Sequence, residues 1–110
     1  MPPVVEQRGH ARAPLDSPVS FSLKGRAGKT AGVARDISLG GMFIETAAPA
    51  PFGASVIVHV TLPGADDAFD LPGVVRWVRD GGMGVQFGLL GAVETHLITE
   101  ISRRHAQTTG

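Results

Sequence analysis

The sequence predicts a mainly β domain, a six-stranded antiparallel β-barrel with one C-terminal α-helix, and three observations carry that prediction. Between Val19 and Phe87 apolar and polar residues alternate in short runs, the period of a strand with one buried face. Clusters of glycine and proline at Gly25 to Gly28, Pro49 to Gly53, Pro63-Gly64 and Gly81-Gly82 separate those runs. Beyond Phe87 the apolar spacing becomes helical. Strands without helices between them lack the crossovers a parallel sheet needs, and closing the sheet on itself removes its edges.

Residues 1–7 hold Pro2 and Pro3 and no apolar periodicity, which predicts a flexible leader. Arg8-Gly9-His10-Ala11-Arg12 follows, a cationic clip whose extension into a helix Pro14 opposes. From Pro18, Val19, Phe21 and Leu23 alternate with Ser20, Ser22 and Lys24 as a first strand. Thr30 to Ile37 is the second, with Val33 and Ile37 inward, and Met42 to Thr46 the third. Ser55 to Leu62 places Val56, Val58, Val60 and Leu62 on one face. In the run Phe69 to Arg79, Pro72-Gly73 signals a bulge or an edge, and alternation puts Val75 and Trp77 on a common face. Met83, Val85 and Phe87 mark the last strand. Val93, Leu97 and Ile101, flanked by Leu90 and Ile98, predict a helix over about 91–105. Arg103, Arg104 and His105 would face the negative end of its dipole, leaving 106–110 as a flexible tail.

A chain of 110 residues, 43% hydrophobic, suffices for one domain with one modest core. Ten basic and ten acidic side chains cancel, so no net field draws the protein to DNA, RNA or an anionic membrane, and any anion site must be local. The absence of cysteine excludes disulfides, thiolate catalysis and Cys-ligated zinc. With no apolar run near the roughly 18 residues of a membrane helix, and no apolar core in the first residues, a cytoplasmic protein without membrane insertion is expected.

Chemical candidates are few. His10, His59, His96 and His105 lack the paired spacing of metal ligands, so no metal or cofactor is expected. Ser38 has no G-x-S-x-G elbow around it, which disfavours a nucleophilic enzyme. Asp66 and Asp67 read as a solvated loop and Gly81-Gly82-Met83-Gly84 as a hairpin turn. Trp77, alone among valines, is expected in the core, with base stacking as the alternative. Asp36-Ile37-Ser38-Leu39-Gly40-Gly41 joins two strand-like runs. Its glycines allow a positive φ or a close backbone approach, and its carboxylate and hydroxyl can either form a turn or hold a ligand.

Taken together, Arg8-x-x-x-Arg12 and the later Asp36-x-Ser38-x-x-Gly41 resemble the paired signature of PilZ domains. The resemblance runs from Glu6 to about Arg104 and includes Gly73-Val74-Val75-x-Trp77, Gly84-Val85-Gln86-Phe87 and the terminal helix. It implies one PilZ-like domain over 8–105, a split-barrel-type fold, no catalytic activity and binding of cyclic di-GMP. Carried over residue by residue, Arg8 and Arg12 would hold a guanine and a phosphate, Asp36 the guanine N1 and N2 donors, and Ser38 a further hydrogen bond, while Gly41 would leave room for the ligand. Gln7, Gly40 and Trp77 are further expected contacts. Many family members place another Arg beside the first, where this chain has Gln7 and Gly9, which leaves ligand stoichiometry open. The expected output is a loose clip that orders over the barrel and presents a new surface to a downstream protein partner, the protein being a monomer or weak dimer. The competing reading is a nucleotide-independent interaction module.

Overall fold

Antiparallel strands close into a barrel in the computed structural model, which describes residues 12–62 and 67–109. The strands are β1 (Ala13–Leu23), β2 (Thr30–Ile37), β3 (Gly41–Glu45), β4 (Ser55–Val60), β5 (Phe69–Arg79) and β6 (Gly82–Phe87), followed by helix α1 (Ala92–Thr109). Around the barrel they run β1-β2-β3-β6-β5-β4. The pair β3 and β6 therefore lies across the barrel from the pair β1 and β4, with β2 and β5 between them.

The alternation seen in the sequence fills the interior. Phe21, Ile37, Met42, Ile44, Val58, Leu71, Val75 and Met83 are all buried to within 1%. Leu62 joins them although β4 ends at Val60, because it continues the inward face of Val56, Val58 and Val60. One end is covered by α1, where Ile98 is fully buried and Leu97 and Ile101, together with Leu90 just before the helix, are partly buried against the core. The helical stripe is thus centred on Ile98, and Val93, expected on it, is 59% exposed. The helix also runs past residue 105 to Thr109, so 106–109 are helical and not a tail. No glycine or proline stops the chain between Ala92 and Thr109, and the basic residues 103–105 fall short of the last turn.

The first strand differs from expectation at its start. It begins at Ala13, which pairs with Ile37, and not at Pro18. Pro14 is tolerated because this half of β1 pairs only with β2; pairing with β4 starts at Ser20. The register slips between Pro14 and Ser17, where Asp16 takes a φ of 49°, a conformation Asp adopts more readily than most residues. Pro72 likewise fits an edge: its carbonyl accepts from the Gly88 N–H on the β6 side, so its donor-less nitrogen faces the side where β6 pairing begins only at Gly73.

Two other slips were not foreseen. The β2–β3 register shifts between Ala34 and Asp36, and the β5–β6 register between Val75 and Trp77. Each adds one residue, Arg35 and Arg76, and each turns the next side chain to the opposite face. Val75 therefore points inward while Trp77 lies outside, 41% exposed, which corrects the expectation that both share a core face.

Candidate functional site

The two bulges aim a single row of side chains outward across four strands, Asp36↔Phe43↔Gly84↔Trp77. Phe43 and Trp77 stack with ring centroids 5.3 Å apart and planes 12° from parallel. They meet because Gly84 lies between them in the register: a Cβ at Gly84 would collide with the Trp77 indole. Arg79 sets its guanidinium 4.8 Å from the Trp77 ring and 5.2 Å from the Phe43 ring, the geometry of a cation attracted to aromatic faces.

Arg12 completes the row at its other end. Its Nε and Nη2 donate to Asp36 Oδ1 at 3.0 and 2.5 Å. The pairing of Ala13 with Ile37 holds Arg12 beside that carboxylate, so this end of the clip is anchored and not loose. Both bonds converge on Oδ1, and a carboxylate carries acceptor sites on each oxygen. Arg76, the bulged residue of β5, donates its Nε to Gln86 Oε1 at 2.6 Å. Arg35, the bulged residue of β2, is held by Asp16 at 3.0 Å and by Glu45 at 2.6 Å. Those partners, Asp16 first, hold the Arg35 guanidinium still more firmly protonated than usual.

Two adjoining hollows share Arg12 and Trp77. One, of about 260 Å³, is lined by Arg12, Ser38, Gly40, Gly41, Arg76, Trp77 and Gln86 among others. The second, of about 270 Å³, is lined by Arg12, Asp36, Phe43, Trp77 and Arg79. Three guanidinium groups and one carboxylate make this a locally cationic face on a chain of zero net charge. It combines what a planar, phosphorylated ligand requires: aromatic faces for stacking and guanidinium forks for phosphate oxygens.

The other expected residues divide. Arg8, Gln7 and His10 lie outside the described residues, as does Asp66. Ser38 forms the two-residue hairpin between β2 and β3: its N–H donates to the Gly41 carbonyl at 2.8 Å, and its Oγ accepts from the Gly40 N–H at 3.2 Å. Only 1% exposed, Ser38 is engaged by the turn, yet it borders the first hollow. Gly41 is required by strand packing, since a Cβ there would strike the Val85 carbonyl. Of the two alternatives for these glycines, a positive φ or a close backbone approach, the second holds at Gly41, and positive φ occurs at Gly25, Gly28, Gly53 and Gly81. Phe43, Arg76, Arg79 and Gln86 were not singled out from sequence, because only the bulges in β2 and β5 bring Asp36 and Trp77 into line with them. No group of three potential ligands that could hold a metal ion occurs among the described residues.

Fold and face together define a class: a small antiparallel barrel that carries an external, cation-rimmed aromatic surface. The family model described as the PilZ domain matches residues 6–103, and the chain belongs to the PilZ domain family. PilZ domains form a family of cyclic di-GMP-binding and adaptor domains that are generally non-catalytic. Among solved structures, the PilZ domain of CeSA from a cellulose-synthesizing bacterium is similar with a TM-score of 0.66 and 19% identity, over 90% of this chain and 98% of its own. The Bacillus subtilis inhibitor of motility MotI/DgrA is similar with a TM-score of 0.70 and 18% identity over 89% of this chain. The match spans 51% of that longer protein. At such identities the likeness speaks for the fold. No curated protein matches the sequence.

Proposed function

We propose that this chain is a non-enzymatic receptor for cyclic di-GMP that acts in the cytoplasm as a second-messenger adaptor, in processes such as motility or biofilm formation. The observation that carries the reading is the Arg12 fork on Asp36 beside the Phe43–Trp77 stack under Arg79. Arg8, Arg12, Asp36, Ser38 and Gly41 are the proposed ligand-binding residues, with Gln7, Gly40 and Trp77 as further contacts. In this reading one guanine lies on the exposed aromatic face, and its N1 and N2 donors reach the Asp36 oxygen that Arg12 leaves open. The arginines take the phosphates and the guanine O6/N7 edge. In this reading the ligand is bound and not turned over.

Since Arg12 is already fixed at Ala13, ordering on ligand binding concerns the chain before it, and the new surface is read by a downstream protein. A charge-assisted contact contributes on the order of 1.5–3 kcal/mol. Arg12→Ala is therefore expected to weaken cyclic di-GMP binding at least roughly tenfold by isothermal calorimetry. Equal affinity in the variant would remove Arg12 from the site.

A further inference from the structure

On β1, β4 and the opposite end of β5 from Trp77, Ser22, His59 and Asp70 form a connected set that the nucleotide site does not use. Ser22 Oγ lies 3.2 Å from His59 Nε2, and His59 Nδ1 lies 2.7 Å from Asp70 Oδ1. The three point outward from neighbouring strands, between buried neighbours Phe21, Val58, Val60 and Leu71. The His59 side chain is only 18% exposed, held between its two partners. A hydroxyl bonded to an imidazole, itself oriented by a carboxylate, is the arrangement that turns serine into a nucleophile on unrelated folds.

What surrounds Ser22 selects the chemistry. Its backbone is paired with Ile57 in the β1–β4 ladder, so the free N–H donors that acyl transfer needs for its oxyanion have no place beside it. Cations are close instead. The β1–β2 hairpin exposes Lys24, Arg26 and Lys29, and the sequence has no carboxylate between Asp16 and Asp36. Arg26 and Lys29 line a hollow of about 310 Å³ together with Ser22. Phosphoryl transfer passes through a loose transition state that needs positioning and positive charge more than covalent help.

We propose that Ser22 is a phosphoryl-acceptor site, with His59 as its base and Asp70 as the residue positioning His59, and with a small acyl phosphate as donor. The Ser22 oxygen forms a bond to phosphorus, the bond from phosphorus to the acyl oxygen breaks, and a carboxylate leaves. The Ser22 proton passes to His59 Nε2 and from there to water. The product, a phosphoserine of about −1.5 to −2 charge, sits beside the Lys24–Lys29 cations that stabilise it.

The test incubates the full chain with acetyl phosphate and maps labelled residues by mass spectrometry without acid, so that phosphohistidine survives. Ser22 should be labelled at least about tenfold faster than Ser17, Ser20 or Ser55, and His59→Ala should slow its labelling about a hundredfold, with added imidazole restoring part of the rate. Asp70→Asn should slow labelling while the thermal midpoint stays in place. His59→Gln serves as the second variant if His59→Ala does not fold by circular dichroism. No label on Ser22, label on His59 that persists in Ser22→Ala, an unchanged rate in the His59 variant, or no rescue by imidazole overturns the proposal.

Discussion

Gly84 shows how one missing side chain shapes the candidate site. The Trp77 indole occupies the space a Cβ would take, and the ring thereby reaches Phe43 across β6. Gly84→Ala should displace the indole, and because Trp77 is the only tryptophan, intrinsic fluorescence reads that displacement directly. An unchanged emission spectrum would contradict this packing. Gly41 has a different constraint, the Val85 carbonyl. Gly41→Ala should destabilise the barrel by about 1–3 kcal/mol, the usual range for an overpacked site. At about 4–8 °C per kcal/mol that lowers the melting midpoint measurably. Asp36→Asn separates ligand chemistry from stability: its ion pair is exposed, 48% on Arg12 and 33% on Asp36, and such pairs contribute about 0–1 kcal/mol. The variant should melt near the parent temperature and bind cyclic di-GMP at least roughly tenfold more weakly, through loss of one charge-assisted contact.

At the level of elements, the strands and helix were legible because each buries one face at a regular period outside the bulges; in β2 the bulge puts Ala34 inward with Ile37, where Val33 was expected. Val56, Val58, Val60 and Leu62 needed no knowledge of their neighbours, and β2 and β5 were bounded as observed. The bulges were not legible. Nothing in Val75-Arg76-Trp77 marks an extra residue, since a bulge is defined by the strand opposite, and the plain alternation turned Trp77 into the core. Pro14 obscured the early start of β1 for a similar reason: a proline is excluded from a strand only where its nitrogen faces a partner. The Asp36-x-Ser38-x-x-Gly41 stretch was visible as a junction of turn-forming residues, whereas the separate duties of Ser38 in the hairpin and Gly41 against Val85 depend on pairing. Because the described core begins at Ala13, a chain lacking residues 1–11 should keep its thermal midpoint within a few degrees. It should lose most of its cyclic di-GMP affinity with Arg8. A truncated chain that binds as tightly as the parent would take Arg8 and Gln7 out of the site.

Across the whole molecule, closure of the sheet sets two groups of outward side chains apart, joined through the core and through β5, which contributes to both. One is the aromatic and guanidinium face, and the other is the Ser22–His59–Asp70 set. The zero net charge means that no overall field draws anions at long range, so the proposed recognition would rest on contact geometry and on charges a few ångströms from the ligand. A rigid barrel wall that fixes Arg12 beside Asp36 suits a receptor whose ligand meets a largely preformed surface. The most direct test is a calorimetric titration of cyclic di-GMP into the full chain and, in parallel, into Asp36→Ala, with Trp77 emission followed in the same samples. Saturable binding with an emission change in the parent, weakened at least roughly tenfold in the variant, is the predicted result. Neither heat nor emission change in the parent at saturating ligand, or equal affinity in the two chains, would contradict it.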